Sequence, residues 1–218
     1  MLSQEIVKLV ETRFKVTDVT EKSYESLKYP KLLPMMRFSL KKYNVEGFGS
    51  LFTMDTTAMG GMMTLSTVVL TPNSGKNVPF LLIDTMDMKK KSLSYVEFYD
   101  KTEKGASCNT LDPLAEEYKD IPDYAEKEGW YIAERTPYSL IKGGEGVDKE
   151  ILSKMTLDAA KRYIDEAAAA ETKEGNLNTL RTFQNDMCEK GNPSTATLEK
   201  LFGKEGAKEF FKTVIMPV

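Results

Sequence analysis

The chain has 218 residues, and its formal net charge of −3 argues against nucleic acid as the main partner, because phosphate binding requires a basic surface. It contains no histidine, which excludes Ser-His-Asp and Cys-His nucleophilic systems and imidazole metal sites, so acid-base chemistry has to use Asp, Glu, Tyr, Lys or Cys. The two cysteines, Cys108 and Cys188, are too far apart in sequence for a zinc motif or a disulfide framework, which favours a reducing, cytoplasmic location.

The first predicted element is an amphipathic helix over residues 2–14. Its apolar positions recur at helical spacing: Leu2, Ile6, Leu9, Val10 and Phe14. Because Glu5 and Lys8 interrupt the apolar pattern, this segment is not expected to be a signal peptide. No apolar run elsewhere is long enough to span a bilayer, so we expect no membrane partner. The absence of histidine and of CxxC spacing predicts no metal site. Residues 16–34 are polar and contain two prolines, which predicts a loop with one short strand.

Five strands are predicted next from alternating apolar and polar residues. Their ranges are 35–43, 51–58, 62–71, 79–88 and 92–100. Turn-forming residues separate the three central strands, which favours an antiparallel meander. A short helix over residues 112–125, an edge strand over 130–139 and a flexible Gly-rich hinge over 143–146 are predicted to follow.

The remainder of the chain is predicted to be helical. Apolar faces indicate helices over 148–167, 174–190, 193–203 and 207–215, the third of which ends at Gly203. Strands first and helices afterwards predict an α+β fold, in which helices cover an antiparallel sheet. We expect a single domain over 1–218, strand-rich over 35–140 and helical over 147–218.

Two aspartates fall in the central strands. Alternate residues of a strand share a face, and Asp84 therefore lies in an apolar row with Phe80, Leu82, Met86 and Met88. Asp55 shares a face with Thr53 and Thr57. A carboxyl group among apolar neighbours shifts toward its protonated form and donates a proton near neutral pH. Alternatively, Asp84 lies on a solvated face of the sheet, as most aspartates do, and the pattern alone leaves both possibilities open.

Two segments of the chain resemble a known family, the ferredoxin-dependent bilin reductases, and more distantly the red chlorophyll catabolite reductases. Residues 51–87, LFTMDTTAMGGMMTLSTVVLTPNSGKNVPFLLIDTMD, are similar to the family's central strands, proline-containing loop and Asp-bearing strand. Residues 191–218, GNPSTATLEKLFGKEGAKEFFKTVIMPV, are similar to its C-terminal motif, its Leu-Glu-Lys-x-Phe-Gly turn and its closing helix. The two segments cover roughly a third of the chain.

This resemblance implies an α/β/α sandwich with a central antiparallel sheet, and an open-chain tetrapyrrole held between the sheet and the C-terminal helices. It also implies that external reduced ferredoxin delivers single electrons, with no flavin, nicotinamide or metal bound to the protein. The family's active-site Asp matches Asp84, and an acidic position on an earlier strand matches Asp55. Both are therefore predicted to be catalytic proton donors.

The same resemblance predicts the ligand contacts. Thr67, Ser66 and Asn192 are expected to hydrogen-bond the ligand, and Met54 and Met86 are expected to contact its apolar rings. Thr67 stands where many family members have histidine, and Asn192 stands where the C-terminal motif has Asp. Lys89, Lys90 and Lys91 are expected to steer an acidic ferredoxin, because complementary charge raises the rate of encounter.

Three functions therefore remain open at the level of sequence. The first is a ferredoxin-dependent reductase that acts on an open-chain tetrapyrrole with carboxyl groups as proton donors. The second is a non-catalytic protein that binds a tetrapyrrole or another flat apolar ligand on the same scaffold. The third is a structural or interaction protein. Asp84 should be buried beside a cavity if either of the first two is correct, and exposed if neither is.

Overall fold

The computed structural model describes residues 1–30, 32–73, 75–102, 105–106, 108–126, 128–172 and 177–218. The eight strands are β1 (Val16–Asp18), β2 (Ser26–Tyr29), β3 (Met36–Val45), β4 (Gly49–Ala58), β5 (Met63–Thr71), β6 (Phe80–Met88), β7 (Lys91–Tyr99) and β8 (Leu140–Glu145). They form one sheet in the order β1-β3-β4-β5-β6-β7-β8, and β2 pairs with the half of β3 that β1 leaves free. Every pairing is antiparallel, and the predicted meander is confirmed.

Helices cover both faces of this sheet. They are α1 (Leu2–Glu11), α2 (Leu114–Glu117), α3 (Lys149–Ala169), α4 (Asn178–Glu189) and α5 (Thr195–Phe210), with 3-10 turns at Met59–Gly61 and Trp130–Glu134 and a π-helical turn at Phe211–Ile215. At Gly203 the φ of 74° and ψ of 171° are not helical, so the predicted break occurs inside α5. Within the described ranges, no helix has both the length and the apolar character that crossing a bilayer requires.

The pleat of the strands sends alternate side chains to two separate cores. Leu51 and Val68 join the core beneath α1 and α3, whereas their neighbours Phe52 and Val69 join the core beneath α4 and α5. The α+β sandwich predicted from the sequence is confirmed, with α1 and α3 forming one helical layer and α4 and α5 the other.

The connection that leads into β8 differs from prediction. The predicted edge strand over 130–139 is wrong, because residues 130–134 form a 3-10 turn and the strand lies at residues 140–145 instead. The predicted hinge at 143–146 is also wrong, since Gly143 and Gly144 pair with β7. A Cβ atom on Gly143, whose φ is 129°, would lie 2.2 Å from the carbonyl oxygen of Ser92. Position 143 therefore requires glycine, because the two strands approach each other closely there. In the sequence, the same glycines had indicated a flexible hinge.

A short segment lies along the outer edge of β8. The amide of Tyr124 donates to the carbonyl of Ile141 at 2.9 Å, and the amide of Gly143 donates to the carbonyl of Pro122 at 2.9 Å. The helix predicted over 112–125 is accordingly reduced to the four residues of α2, and the residues after it follow the sheet edge. The helix predicted over 174–190 is described from Asn178 onward, and residues 174–176 lie outside the described residues.

Candidate functional site

A cavity of about 430 Å³ lies between the sheet and the start of α5, on the face that α4 and α5 cover only in part. Its floor is formed by β3 to β7, its roof by residues 193–198, and its walls by residues 124–126 and 131–135. The lining residues are Met36, Phe38, Met54, Thr56, Met63, Leu65, Thr67, Asp84, Thr85, Met86, Tyr95, Glu97, Tyr124, Glu126, Tyr131, Arg135, Pro193, Ser194, Thr197 and Leu198. A volume of this size, apolar with a few converging polar groups, is typical of a small-molecule site.

Asp84 is one of three acidic residues that line this cavity, together with Glu97 and Glu126. It lies in β6, opposite Thr67 of β5 and Tyr95 of β7. The hydroxyl of Thr67 donates a hydrogen bond to Asp84 Oδ1. The pKa of Asp84 is raised from 3.8 to about 7, chiefly because burial disfavours the charged form; the hydrogen bond from Thr67 opposes this shift, and the negative charge of Glu97 contributes to it. The carboxyl group is thus able to hold or release a proton near neutral pH.

A buried ion cluster occupies the wall next to Asp84. Arg135 Nε donates to Glu97 Oε1 at 2.6 Å, and Arg135 Nη2 donates to Glu126 Oε1 at 3.0 Å. The hydroxyl of Tyr99 donates to the same Glu97 oxygen at 2.7 Å. Burial raises the pKa of Glu97, and the charge of Arg135 opposes that shift. Because the guanidinium of Arg135 already binds the carboxylates of both glutamates, it is not available to bind a carboxylate group of a ligand.

Aromatic side chains continue the same wall. Tyr95 and Tyr124 meet edge to face, with ring centroids 6.1 Å apart and an interplanar angle of 82°. Lys91 Nζ lies 4.2 Å from the centroid of the Tyr124 ring and donates to its hydroxyl at 3.0 Å. Lys91 is therefore partly buried in this wall, whereas the sequence had grouped it with Lys89 and Lys90 as a surface lysine.

The fold brings four of the predicted site residues together. Thr67, Asp84, Met54 and Met86 all line the cavity. Asn192 borders a narrow extension of about 20 Å³ that continues toward α4. Its side chain is engaged within its own turn, because Nδ2 donates to the carbonyl of Met187 at 3.0 Å and Oδ1 accepts from the amide of Ser194 at 2.9 Å.

Asp55 and Ser66 lie on the other face of the sheet, and their placement in the same pocket as Asp84 has to be corrected. Ser66 Oγ donates to Asp55 Oδ1 at 2.6 Å, and Ser3 Oγ of α1 donates to Asp55 Oδ2 at 2.6 Å. The pleat explains the separation, because Asp55 and Ser66 directly follow or precede cavity residues in their strands. The roles predicted for them, a second acid for Asp55 and a ligand contact for Ser66, remain predictions. Their position on the face covered by α1 does not support either role.

Several cavity residues were not anticipated from the sequence. They are Tyr95, Glu97, Tyr124, Glu126, Tyr131 and Arg135. Strand alternation was a usable signal for Glu97, since it shares a face with Tyr95 and Tyr99 in a strand that is otherwise largely apolar. The positions of Glu126 and Arg135 follow from irregular segments whose path the sequence pattern does not determine.

The fold is similar to that in the crystal structure of phytochromobilin synthase from tomato in complex with biliverdin. The similarity covers 97% of this chain and 81% of that chain, with a TM-score of 0.80 and 11% sequence identity. No protein-family model matches the chain, and no curated protein matches it by sequence. At this identity the likeness establishes the fold, and the α/β/α sandwich predicted from the resemblance to the bilin reductases is confirmed.

Proposed function

We propose that this chain binds a linear tetrapyrrole such as biliverdin in the cavity above Asp84 and reduces it with electrons from an external donor. The electrons come from reduced ferredoxin, as in the family that the sequence resembles, so the protein itself needs no bound flavin, nicotinamide or metal. Asp84 gives a proton to the pigment. The solved structure with a similar fold holds biliverdin, which supports this class of ligand.

The observation that carries the proposal is the position of Asp84 on the floor of an apolar cavity, with a pKa raised to about 7. A general acid works best when its pKa lies near the working pH, because it is then protonated in an appreciable fraction of molecules and still transfers its proton readily. An aspartate on a solvated strand face would be ionised at neutral pH and unable to serve in this way.

The reaction balances with the groups available. Reduction of one carbon–carbon double bond takes up two electrons and two protons. Ferredoxin supplies the electrons singly, Asp84 supplies one proton to the bound pigment, and water at the open side of the cavity supplies the other. Exposed Lys89 and Lys90 remain available to attract an acidic ferredoxin, whereas Lys91 is held against Tyr124.

The cavity residues also favour a particular orientation of the ligand. Met54, Met86 and the tyrosine walls offer apolar surface to flat rings. Carboxylates on the floor and wall accept hydrogen bonds from pyrrole N–H groups. The guanidinium of Arg135 is hydrogen-bonded to Glu97 and Glu126. The propionate groups of the pigment are therefore expected to extend through the open side of the cavity into solvent.

A second candidate function is a non-catalytic protein that binds a tetrapyrrole in the same cavity. The specific observation in its favour is that Asp84 lacks the partners expected of the reductase site. Asp55 faces the opposite side of the sheet, Thr67 stands where many family members have histidine, and the side chain of Asn192 is engaged in its own turn. A threonine hydroxyl binds ligands but does not act as a proton reservoir near neutral pH.

The experiment that separates the two functions is a visible-absorption titration with biliverdin, followed by reduced ferredoxin under anaerobic conditions. A saturable spectral shift that then bleaches or moves on reduction supports the reductase. A shift that does not change on reduction supports the binding protein. The absence of a shift contradicts both functions.

A matched pair of variants tests whether the ligand occupies this cavity. Thr197 faces the cavity from α5, and Ala196 beside it is exposed and does not line it. We expect Thr197→Trp to weaken biliverdin binding at least about tenfold, because the indole fills the space that the ligand needs. Ala196→Trp should bind as tightly as the unmodified protein. Equal effects of the two variants would place the ligand elsewhere.

A further inference from the structure

Exposed apolar side chains cluster at one end of the sheet, beside the cavity. Five of the eight large apolar side chains that are exposed among the described residues lie in two neighbouring turns. They are Leu32 (95% exposed), Leu33 (81%), Met35 (67%), Met59 (56%) and Met62 (58%), and they are called here the apolar tip. Apolar patches of this kind on a protein surface mark interaction sites.

The backbone holds the two turns of the apolar tip side by side. Leu32 and Leu33 lie in the turn between β2 and β3, whose ends pair at Tyr29 and Met36. The amide of Met59 donates to the carbonyl of Met35 at 3.1 Å, which joins this turn to the one between β4 and β5. The side chains thus protrude together from loop ends and do not lie across a flat or concave surface.

Four exposed basic side chains flank the apolar tip. Lys28 and Arg37 stand opposite each other in β2 and β3, and Lys89 and Lys90 form the turn between β6 and β7 at the same end of the sheet. None of the four has an ion-pair partner in the part of the chain that the structure describes. Residues 28–30, 32–37 and 56–65 contain no acidic residue, so the charges of Lys28 and Arg37 are not balanced within these turns. Asp87 and the exposed Glu145, which stands opposite Lys91, lie nearer to Lys89 and Lys90.

We propose that the apolar tip docks on the surface of an anionic lipid bilayer. Leu32 and Leu33 insert furthest because they are the most exposed, and the lysines and the arginine lie at the level of the anionic headgroups. Protruding apolar side chains with basic residues behind them are typical of proteins that bind at a membrane interface without spanning it. The expectation from sequence that the chain has no membrane partner followed from hydropathy along the chain, which does not detect apolar residues gathered from two turns.

The shape of the surface favours lipid over an acidic protein partner. Lys89 and Lys90 would attract either partner by charge, so they do not decide between them. Leucine and methionine side chains that protrude from separate loop ends find apolar surroundings in a fluid acyl layer. A protein partner would need pockets shaped to receive them. The tip also adjoins the cavity, since Met36 and Met63 line it and each directly follows an exposed methionine of the tip.

The test is co-sedimentation of the full chain, without pigment, with vesicles of phosphatidylcholine and phosphatidylserine, compared with vesicles of phosphatidylcholine alone. We expect binding to the anionic vesicles that weakens as salt is raised. The double variant Leu32→Ser with Leu33→Ser should raise the lipid concentration for half-maximal binding at least about tenfold. The double variant Lys89→Gln with Lys90→Gln should raise it about fivefold or more on the anionic vesicles.

Val19→Ser and Ile151→Ser are the controls, because they remove exposed apolar side chains that lie outside the tip. Both should bind vesicles as the unmodified protein does. Absence of binding to anionic vesicles, or equal binding by the double serine variant, would overturn the proposal. A dimer in light scattering that the double serine variant abolishes, or a ferredoxin complex that it abolishes, would overturn it in favour of a protein partner. The double serine variant should still bind biliverdin, so the result is independent of the proposed function.

Discussion

The two faces of the sheet each hold one aspartate that accepts a hydrogen bond from a hydroxyl group of β5. On the face beneath α1, Asp55 accepts from Ser66, and on the cavity face, Asp84 accepts from Thr67. The difference lies in what covers each carboxyl group. Ser3 of α1 gives Asp55 a second hydroxyl donor, whereas Asp84 faces an apolar cavity and the charge of Glu97.

Two similar strand positions therefore acquire different chemistry from the layer that packs over them. Asp55 is held by two hydroxyl donors and joins α1 to the sheet, which is a structural role. Asp84 has one hydroxyl donor and lines the cavity, so its carboxyl group is accessible to a ligand.

The largest effect is expected from removing the acid on the cavity face. Asp84→Asn should lower the rate of biliverdin reduction by about a hundredfold to ten-thousandfold, which is the usual contribution of a general acid, and should leave binding of the pigment nearly unchanged. The measurement is single-turnover reduction by reduced ferredoxin, with binding followed by absorption. Asp55→Asn is the matched control and should reduce biliverdin at close to the normal rate. Similar losses in both variants would contradict the assignment of different roles to the two faces.

The next largest effect concerns stability. Arg135→Met should lower the free energy of unfolding by about 3–5 kcal/mol, because it leaves the buried carboxylates of Glu97 and Glu126 without their counter-ion. Urea unfolding measures the change. Arg37→Met removes an exposed arginine with no ion-pair partner in the described residues, and it should change the free energy by less than about 0.5 kcal/mol. A loss of under about 1 kcal/mol in Arg135→Met would show that the cluster is solvated.

Titration of Asp84 should make the free energy of unfolding depend on pH. Its pKa is about 7 in the folded protein and near 3.8 in the unfolded chain, so the folded state holds the proton more tightly. The stabilising contribution of Asp84 is therefore full below about pH 4, and it is lost as the pH rises toward 7. Relative to Asp84→Asn, the free energy of unfolding should fall over this range by on the order of 2–4 kcal/mol. A constant difference between the two proteins would contradict the raised pKa.

The smallest effect is expected from the hydroxyl donor itself. Thr67→Val removes a hydrogen bond that favours the ionised form of Asp84, so the pKa of Asp84 should rise further, with a loss of stability of about 1 kcal/mol. Infrared absorption of the protonated carboxyl group measures the change against pH. Ser66→Ala removes the matching donor of Asp55 and should leave the titration of Asp84 as it is. A parallel change in both variants would indicate a general effect on β5.

Much of the fold was predictable, because alternation along the strands and apolar faces along the helices are local signals. They placed the meander, α3 and the α+β class, and they singled out Asp84. The prediction of a hinge at 143–146 was wrong because Gly143 allows two strands to approach closely. Such a tertiary contact cannot be read from the local sequence.

The candidate site was only partly predictable, for a different reason. Residues on one strand share a face by their spacing, so the separation of Asp55 from Met54 and of Ser66 from Thr67 was implicit in the sequence. The ion cluster is different, because Arg135 and Glu126 reach Glu97 through irregular segments whose course depends on the completed fold. The raised pKa of Asp84 likewise depends on burial that only the assembled layers provide.

The short segment along β8 has a consequence for redesign of the ligand specificity. Backbone hydrogen bonds at Pro122 and Tyr124 attach this segment to the sheet, and the side chains of Tyr124 and Glu126 face the cavity. Backbone attachment tolerates many side chains, so the wall keeps its place while its chemistry is altered. Position 124 is therefore a suitable site for library mutagenesis, whereas position 126 is constrained by its contact with Arg135.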